Sequence, residues 1–486
     1  MKKKSVKKNY VYNLIYQILA IIIPIVTTPY LARVLGPSGT GIYSYTISIV
    51  TYFILFGSLG INLYGQREIA YVQNDNLKRS KIFSELLVFK TITLSISMVL
   101  FYLIFCIGGR YKIYYLILLI EIFANILDIN WMYQGLEEFK KVVIRNIVVR
   151  LLSLISIFMF VKTKNDVGVY IAIYSLTTLF GNITLWFKIK NYVSINFKNL
   201  NLVKHIKPNL VLFVPQIAVQ IYTVLDKTML GAILGDMNEV GYYEQSQKII
   251  KILLTIITSV GTVMMPRIAN CFANNEHKKI ENYMYKTFNF VYLIAIPLIF
   301  GLIAVSSNFV PLFFGKGYSE VKIIMDIMSI IILFIGFSSV IGNQYLLSTK
   351  RQKQYTISVI VGSVVNLILN ALLIGTFKSI GATISTVIAE LVVTLLQLYY
   401  VRKDFKISKI LYMSIKYIIS GIIMFVLCII INKLKLNGVI SILLQGIIGA
   451  IAYFGSLLIL KEKFFKDLLD KYVLNKVNKF CKNNFS

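Results

Sequence analysis

Fourteen apolar windows recur along this chain, at residues 10–33, 41–62, 82–107, 112–133, 142–161, 168–187, 209–231, 240–265, 286–305, 322–347, 355–375, 380–401, 409–432 and 438–460. A helix that crosses the hydrocarbon core of a bilayer needs about 20 such residues. Inside that core every backbone polar group must be satisfied within the structure itself. The windows therefore predict an all-α integral membrane fold of about fourteen transmembrane helices. What remains suffices for short connections and two tails. Only 15% of the residues are charged, against roughly 25% in soluble domains, so a large soluble domain and intrinsic disorder are both excluded.

The formal net charge is +30. In a soluble chain that would suggest nucleic acid, but here the basic residues sit between apolar windows, where they set membrane orientation. Counting the N-terminus, every second connection and the C-terminus, each with the four flanking window residues, gives 35 Lys and Arg; the intervening connections counted the same way carry 10. Both termini are thus expected on the cytoplasmic side, and no nucleic-acid partner is expected. The opening MKKKSVKKNY resembles the basic start of a signal peptide, yet the apolar stretch runs on to Leu31 without a small-residue cleavage site, which reads as a retained first helix. Cys106, Cys271, Cys428 and Cys481 have no metal or redox spacing, and His205 and His277 lie in polar connections.

An internal repeat organises the chain. LARVLGPSGTGIYSY (31–45) and MLGAILGDMNEVGYYEQ (229–245) align so that Leu35-Gly36 matches Leu234-Gly235 and, after a one-residue shift, Gly41 and Tyr43 match Gly241 and Tyr243. Six windows separate the copies, so the halves share one orientation, a parallel repeat. The expected division is an N-lobe at 1–190, an amphipathic cytoplasmic linker at 191–208, a C-lobe at 209–403, an appended helix pair at 404–460, and a basic amphipathic tail at 461–486. Linker and tail (Phe464 to Phe480) both read as helices lying on the inner membrane surface. Gly36, Gly39, Gly41, Gly235 and Gly241 suit positive φ or close backbone approach, with turn formation the simplest reading.

Ionisable residues inside spans are costly and by default face a cavity or a partner. Polar stripes at helical spacing carry many of them. They comprise Gln216, Gln220, Thr223 and Lys227 in the seventh window; Glu244, Lys248 and Lys251 in the eighth; Asn146, Arg150 and Ser153 in the fifth; Ser44, Ser48, Thr51, Ser58 and Asn62 in the second; and Thr386, Glu390, Thr394 and Gln397 in the twelfth. Arg33, Arg150, Lys227, Lys248 and Lys251 are the candidate cationic cavity for an anionic cargo, with Gln216, Gln220, Thr223 and Asn62 as polar lining. Internal pairing is the alternative: Glu244 stands four residues before Lys248, and Arg150 has Glu121 or Asp128 on the neighbouring span. Glu85, Lys90 and Lys416 sit near the inner surface, where long side chains snorkel.

The stretch TTPYLARVLGPSGTGIYSYTISIVTYFILFGSLGINLYGQREIA (27–70), with VLDKTMLGAILGDMNEVGYYEQSQKI (224–249), resembles the bacterial polysaccharide flippases of the Wzx type. These belong to the superfamily that holds the lipid II flippases and the multidrug and toxin extruders. The specific motifs cover windows 1, 2, 7 and 8; the layout covers most of the chain. The resemblance implies alternating-access translocation of an undecaprenyl-diphosphate-linked oligosaccharide from the cytoplasmic to the outer leaflet of a bacterial cytoplasmic membrane, for surface polysaccharide synthesis, alongside a polymerase and glycosyltransferases of that pathway. It further implies sodium at Asp226, Asn366, Asn370 and Thr386, near Glu390. Asn370 stands where the family pattern has an acid, and a proton on Asp226 is the other coupling ion open. No cofactor is expected, and no Walker motif or nucleophile elbow is present, which fits a chain that is not an enzyme. The alternatives are a multidrug extruder of the same fold, expected to use a carboxylate-rich lobe, and a membrane glycosyltransferase or polymerase, expected to need a large outer loop.

Overall fold

The computed structural model describes residues 6–434 and 436–470; side chains at 6–21, 139, 214–216, 218, 219, 221, 222 and 262 lie outside the description. The described residues are organised entirely as helices and connections. In chain order the helices are α1 (Val6–Ser58), α2 (Ile61–Tyr71), α3 (Asn76–Phe101), α4 (Lys112–Ile126), α5 (Asn130–Gly135), α6 (Phe139–Phe160), α7 (Val167–Trp186) and α8 (Val203–Leu234). There follow α9 (Met237–Ala273), α10 (His277–Phe314), α11 (Ser319–Met328), α12 (Ile331–Ser338), α13 (Gln352–Val401), α14 (Ile407–Lys433), α15 (Gly438–Ile459) and α16 (Lys463–Leu469).

Eleven helical stretches among the described residues are long and apolar enough to cross a membrane. Two of them, Ile22–Tyr71 and Gln352–Val401, run for 50 residues. A straight helix of that length would reach about 75 Å, more than twice the hydrocarbon thickness. Both are broken. Gly36 in α1 takes φ 70°, ψ 179° and Lys378 in α13 takes φ 52°, ψ −132°, at the places where the apolar windows part. Glycine adopts the positive φ without penalty; a lysine there is strained.

Contacts divide the chain into two compact units, Met1–Glu244 and Gln245–Ser486. In the first, α1 packs on α3, α4, α6, α7 and α8 around Val50, Leu94, Leu118, Ile122 and Ile171, all fully or nearly fully buried. A second core gathers α2, α3 and α5, with Phe83 stacked on Trp131 at 5.5 Å between centroids. In the second unit α14 and α15 pack on each other and on α10. Asn308 of α10 donates to Asn432 at 2.7 Å and to Ser441 at 2.9 Å, and Tyr292 stacks on Tyr417 at 5.9 Å.

Three sequence expectations change here. Lys90 does not snorkel: it is 1% exposed, and its Nζ donates to the Asp128 carbonyl at 2.8 Å. The reason lies in α4, whose last carbonyls have no intrahelical donors. Asn182 donates to the Ala124 carbonyl at 2.6 Å, Trp186 to Leu127 at 2.8 Å, and the lysine adds a cation at the negative end of the helix.

Glu85 is likewise buried. It accepts from Lys204 Nζ at 2.7 Å and the Asn201 N–H at 3.1 Å, and pairs with His205 Nε2 at 3.0 Å. His205, read from sequence as part of a polar connection, is 2% exposed, its Nδ1 2.8 Å from the Tyr64 hydroxyl.

The linker is not a surface helix. After a 3-10 turn at Ile189–Asn191 it runs without regular helix, bending at Asn199 (φ 55°), until α8 begins. Ser80 Oγ accepts from the Ser194 N–H at 2.9 Å and Ser84 Oγ from the Asn196 N–H at 3.1 Å. One helical turn on α3 advances about as far as two extended residues, so α3 presents acceptors at the period of an extended strap. Lys416 behaves as expected of a surface lysine, donating to the Lys461 carbonyl at 3.1 Å. Of the tail, α16 is described; residues 471–486 lie outside the described residues.

Candidate functional site

The two copies of the repeat meet. A Cβ placed on Gly41 would fall 1.7 Å from the Met237 carbonyl oxygen; one on Gly241 would fall 2.1 Å from the Pro37 carbonyl oxygen. The contact is reciprocal, each glycine receiving the carbonyl four residues before the other, as in a self-complementary two-fold interface. Gly36 and Gly235 also correspond, with φ 70° and 65°. So the repeated glycines serve two needs: Gly36 and Gly235 supply positive φ, whereas Gly41 and Gly241 remove the side chains from a backbone crossing.

Below this crossing lies a buried polar seam. Ser44 Oγ donates to Glu244 Oε2 at 3.0 Å, and Lys227 Nζ donates to the same oxygen at 2.9 Å. The side chains of the ion pair are 13% and 11% exposed. One turn on, Ser48 Oγ lies 2.8 Å from Thr228 Oγ1, which donates to the Tyr52 hydroxyl at 3.3 Å. On the other side of α8 the Tyr243 hydroxyl donates to Asp226 Oδ2; both residues are buried. Tyr43 packs on Tyr170 at 4.5 Å and edge-on to Tyr174 at 5.7 Å.

A pair of opposite charges removed from water must have good geometry and further hydrogen bonds to survive. Here the Ser44 hydroxyl supplies one. A cation, a carboxylate and hydroxyls in a water-poor seam form the kind of surface that binds phosphate and sugar hydroxyls.

The seam gathers Ser44, Ser48, Lys227 and Glu244, four residues of the sequence stripes. It adds Thr228, Tyr52 and Tyr243, which helical spacing alone did not select; the match of Tyr43 with Tyr243 was the available signal for the last. Glu244 pairs with Lys227 across helices, a partner that spacing along its own helix does not single out. Lys248 is half-buried, and Lys251, exposed, donates to Gln247 Oε1 at 2.9 Å. Arg33 is exposed on α1 before its break, and Arg150 is half-buried on α6. Gln220 and Thr223 are half-buried on α8, joined by Thr223 Oγ1 to the Gln220 carbonyl at 2.9 Å. Gln216 lies on α8 with its side chain outside the described residues. Asn62 is exposed on α2, beyond the break at Leu59 (φ 46°) and Gly60 (φ 82°), so it does not continue the stripe through Ser58.

Of the residues named for ion coupling, Asp226 belongs to the first compact unit and Asn366, Asn370, Thr386 and Glu390 to the second. Asn370 Nδ2 donates to Asn366 Oδ1 at 3.1 Å, both side chains fully buried. Thr386 Oγ1 donates to the Ala382 carbonyl at 2.9 Å, and Glu390 is 7% exposed. Amide, hydroxyl and carboxylate oxygens such as those of Asn366, Asn370, Thr386 and Glu390 are the donors a hard cation takes.

Comparison with known proteins follows the same lines. A family model described as polysaccharide biosynthesis protein matches residues 6–272, and one described as lipid II flippase MurJ matches residues 179–449. The chain is 26% identical over 410 residues to a protein designated an O-antigen transporter in Escherichia coli strain K12, covering 83% of this chain and 98% of the other. It is 22% identical over 405 residues to the capsular polysaccharide biosynthesis protein CapF of Staphylococcus aureus, covering 82% and 100%. Among solved structures, lipid II flippase MurJ in an inward closed conformation superposes with a TM-score of 0.75 at 20% identity, covering 95% of this chain and all of that one.

Proposed function

The chain belongs to the polysaccharide biosynthesis protein family, and from that membership we propose that it is a multi-pass membrane flippase for a lipid-linked oligosaccharide. The cargo in this reading is an undecaprenyl-diphosphate-linked repeat unit, moved from the cytoplasmic to the outer leaflet of the bacterial cytoplasmic membrane. Polymerase and glycosyltransferases of the same pathway are its proposed partners. The observation that carries the reading is the seam of Ser44, Ser48, Lys227, Thr228 and Glu244, a charged and hydroxylic surface between helices otherwise built to cross lipid. Charge buried among apolar helices of this kind is functional by default.

The proposed frame has fourteen spans with both ends cytoplasmic. Supporting it are the 35-to-10 charge split and the breaks at Gly36 and Lys378, which divide each 50-residue helix into two spans. The lobes at 1–190 and 209–403 rock in alternating access. Arg33, Arg150, Lys227, Lys248 and Lys251 neutralise the diphosphate, while Gln216, Gln220, Thr223 and Asn62 bind sugar hydroxyls. Asp226, with Asn366, Asn370, Thr386 and Glu390, senses sodium or a proton.

The relatives are transporters and flippases, which removes the glycosyltransferase and polymerase reading. A multidrug extruder shares the fold, but the matched families are those of polysaccharide synthesis and lipid II flipping. Deletion of the gene followed by mass spectrometry of lipid-linked glycans tests the proposal: accumulation of an undecaprenyl-linked oligosaccharide supports it, and an unchanged glycan pool with altered drug sensitivity overturns it.

A further inference from the structure

Away from the seam, α6 and α7 enclose a cavity of about 420 Å³. The two helices run antiparallel through a short connection, so the start of α6 and the end of α7 share one end of the pair. At that end stand Lys141, Arg145 and Lys188, beside Ile144; farther along, the walls are Val148, Leu152 and Phe180. Those four apolar side chains are 40–60% exposed. Gly181 lets the two helices pack closely beside the cavity: a Cβ there would fall 2.4 Å from Val149 Cγ2 and 3.1 Å from Arg145 Nε. Arg145 is fixed by hydrogen bonds to Asn146 and Asn182, and Lys141 by Tyr192, whose ring it also overlies at 4.2 Å. No carboxylate lines the cavity among the described residues.

The geometry points to a binding site for one anionic glycerophospholipid, with its phosphate on Lys141, Arg145 and Lys188 and its acyl chains along Val148, Leu152 and Phe180. Basic pockets between membrane helices bind anionic head groups, and the Thr184 hydroxyl at the same end adds a polar contact for the glycerol region. A resident lipid suits the position better than cargo. The lining comes from α6, α7, the residues just after α7 and Tyr133 of α5, and none of it from α1, α8 or α9, which carry the seam. The site stands whether or not the flippase reading does.

Native mass spectrometry of the full-length protein from detergent, mixed with equal amounts of phosphatidylglycerol and phosphatidylcholine, tests it. Wild type is expected to retain phosphatidylglycerol preferentially. Lys188→Gln should lower that preference roughly fivefold, and Lys141→Gln with Lys188→Gln should bring it near parity. Lys188→Arg should preserve it. Val148→Trp fills the apolar part without changing charge and should abolish retention. Lys403→Gln, a basic residue of another connection, should change nothing. Equal retention of both lipids by wild type, loss of preference in Lys403→Gln, or full preference in both Lys188→Gln and Val148→Trp overturns the site. Displacement of phosphatidylglycerol by equimolar undecaprenyl diphosphate also overturns it, because the groove would then be a cargo site. If the double lysine variant fails to fold, Lys188→Gln and Val148→Trp decide alone.

Discussion

Ser44 Oγ and Glu244 Oε2, two hundred residues apart in the chain, are 3.0 Å apart in space. The same offset separates Pro37 from Met237 and Gly41 from Gly241, which meet at the backbone crossing just before them. A repeat in sequence has thus become a contact between its own copies. Identical residues at the glycines allow close approach, and the divergence of Ser44 from Glu244 puts a hydroxyl donor against a carboxylate acceptor.

The first prediction concerns that crossing. Alanine in place of glycine inside a helix ordinarily stabilises by up to about 1 kcal/mol. Gly41→Ala and Gly241→Ala are expected to do the opposite, each costing about 2 kcal/mol or more, because a methyl group has no room against a backbone carbonyl. The two losses should be less than additive, since both disrupt the same crossing. Gly375→Ala, with nothing within 4 Å of the added Cβ, is the control and should be near neutral. Thermal unfolding in detergent reads all four variants.

The ion pair gives the second. Glu244→Ala leaves Lys227 without its buried carboxylate and should destabilise by about 3 kcal/mol. Replacing both, Lys227→Met with Glu244→Leu, removes the uncompensated charge and should restore membrane abundance. Export should remain lost in the double variant if the seam handles cargo. Export at wild-type level in a well-folded double variant would show that the pair only holds α8 to α9. Lys227→Glu should be worse than Lys227→Ala, because it sets a second carboxylate against Glu244.

How far these features were legible in the sequence differs by physical cause. The all-helical, apolar fold was readable because twenty apolar residues in a row have one outcome in lipid. Ser44, Ser48, Lys227 and Glu244 were readable because helical spacing puts them on stripes. Which stripe faces which is a matter of packing, so the pairing of Lys227 with Glu244 across helices was not legible from spacing. The extended strap was missed because its apolar residues mimic an amphipathic helix, while its true determinants, Ser80, Ser84 and Glu85, lie more than a hundred residues away. Lys90 was misplaced for a similar reason: nothing near it in sequence announces the carbonyl end of α4.

That strap supplies the third prediction. Glu85→Ala leaves His205 and Lys204 without their acceptor and removes the anchor of the Asn201 N–H. Ser80→Ala and Ser84→Ala each remove one hydrogen bond, worth about 1 kcal/mol. Limited proteolysis within residues 193–202 should accelerate strongly in Glu85→Ala and mildly in the serine variants. Equal cleavage rates in all of them and wild type would mean that the strap is held by its apolar side chains.

Orientation is tested independently. Reporter fusions after Gly109, Gly375 and Asn437 should read external, given the 35-to-10 split of basic residues. A cytoplasmic signal at any one of these sites would break the fourteen-span count.

Asp226 carries the last prediction, the coupling ion. Its Oδ2 accepts from the Tyr243 hydroxyl, and Lys227, the adjacent cation, is engaged by Glu244. An ion at Asp226 can bias transport only if its affinity differs between the conformations of the cycle. In reconstituted vesicles at fixed pH, an imposed sodium gradient should change the flipping rate, and Asp226→Asn should abolish that response. Tyr243→Phe, which keeps the carboxylate and removes its donor, should retain the response with altered sodium affinity. A rate that ignores sodium, follows pH and still requires Asp226 assigns the role to a proton on the same carboxylate. Should Asp226→Asn leave both the rate and its ion dependence unchanged while Tyr243→Phe destabilises the protein, the Asp226–Tyr243 bond is a structural tie between α8 and α9, and coupling resides elsewhere in the chain.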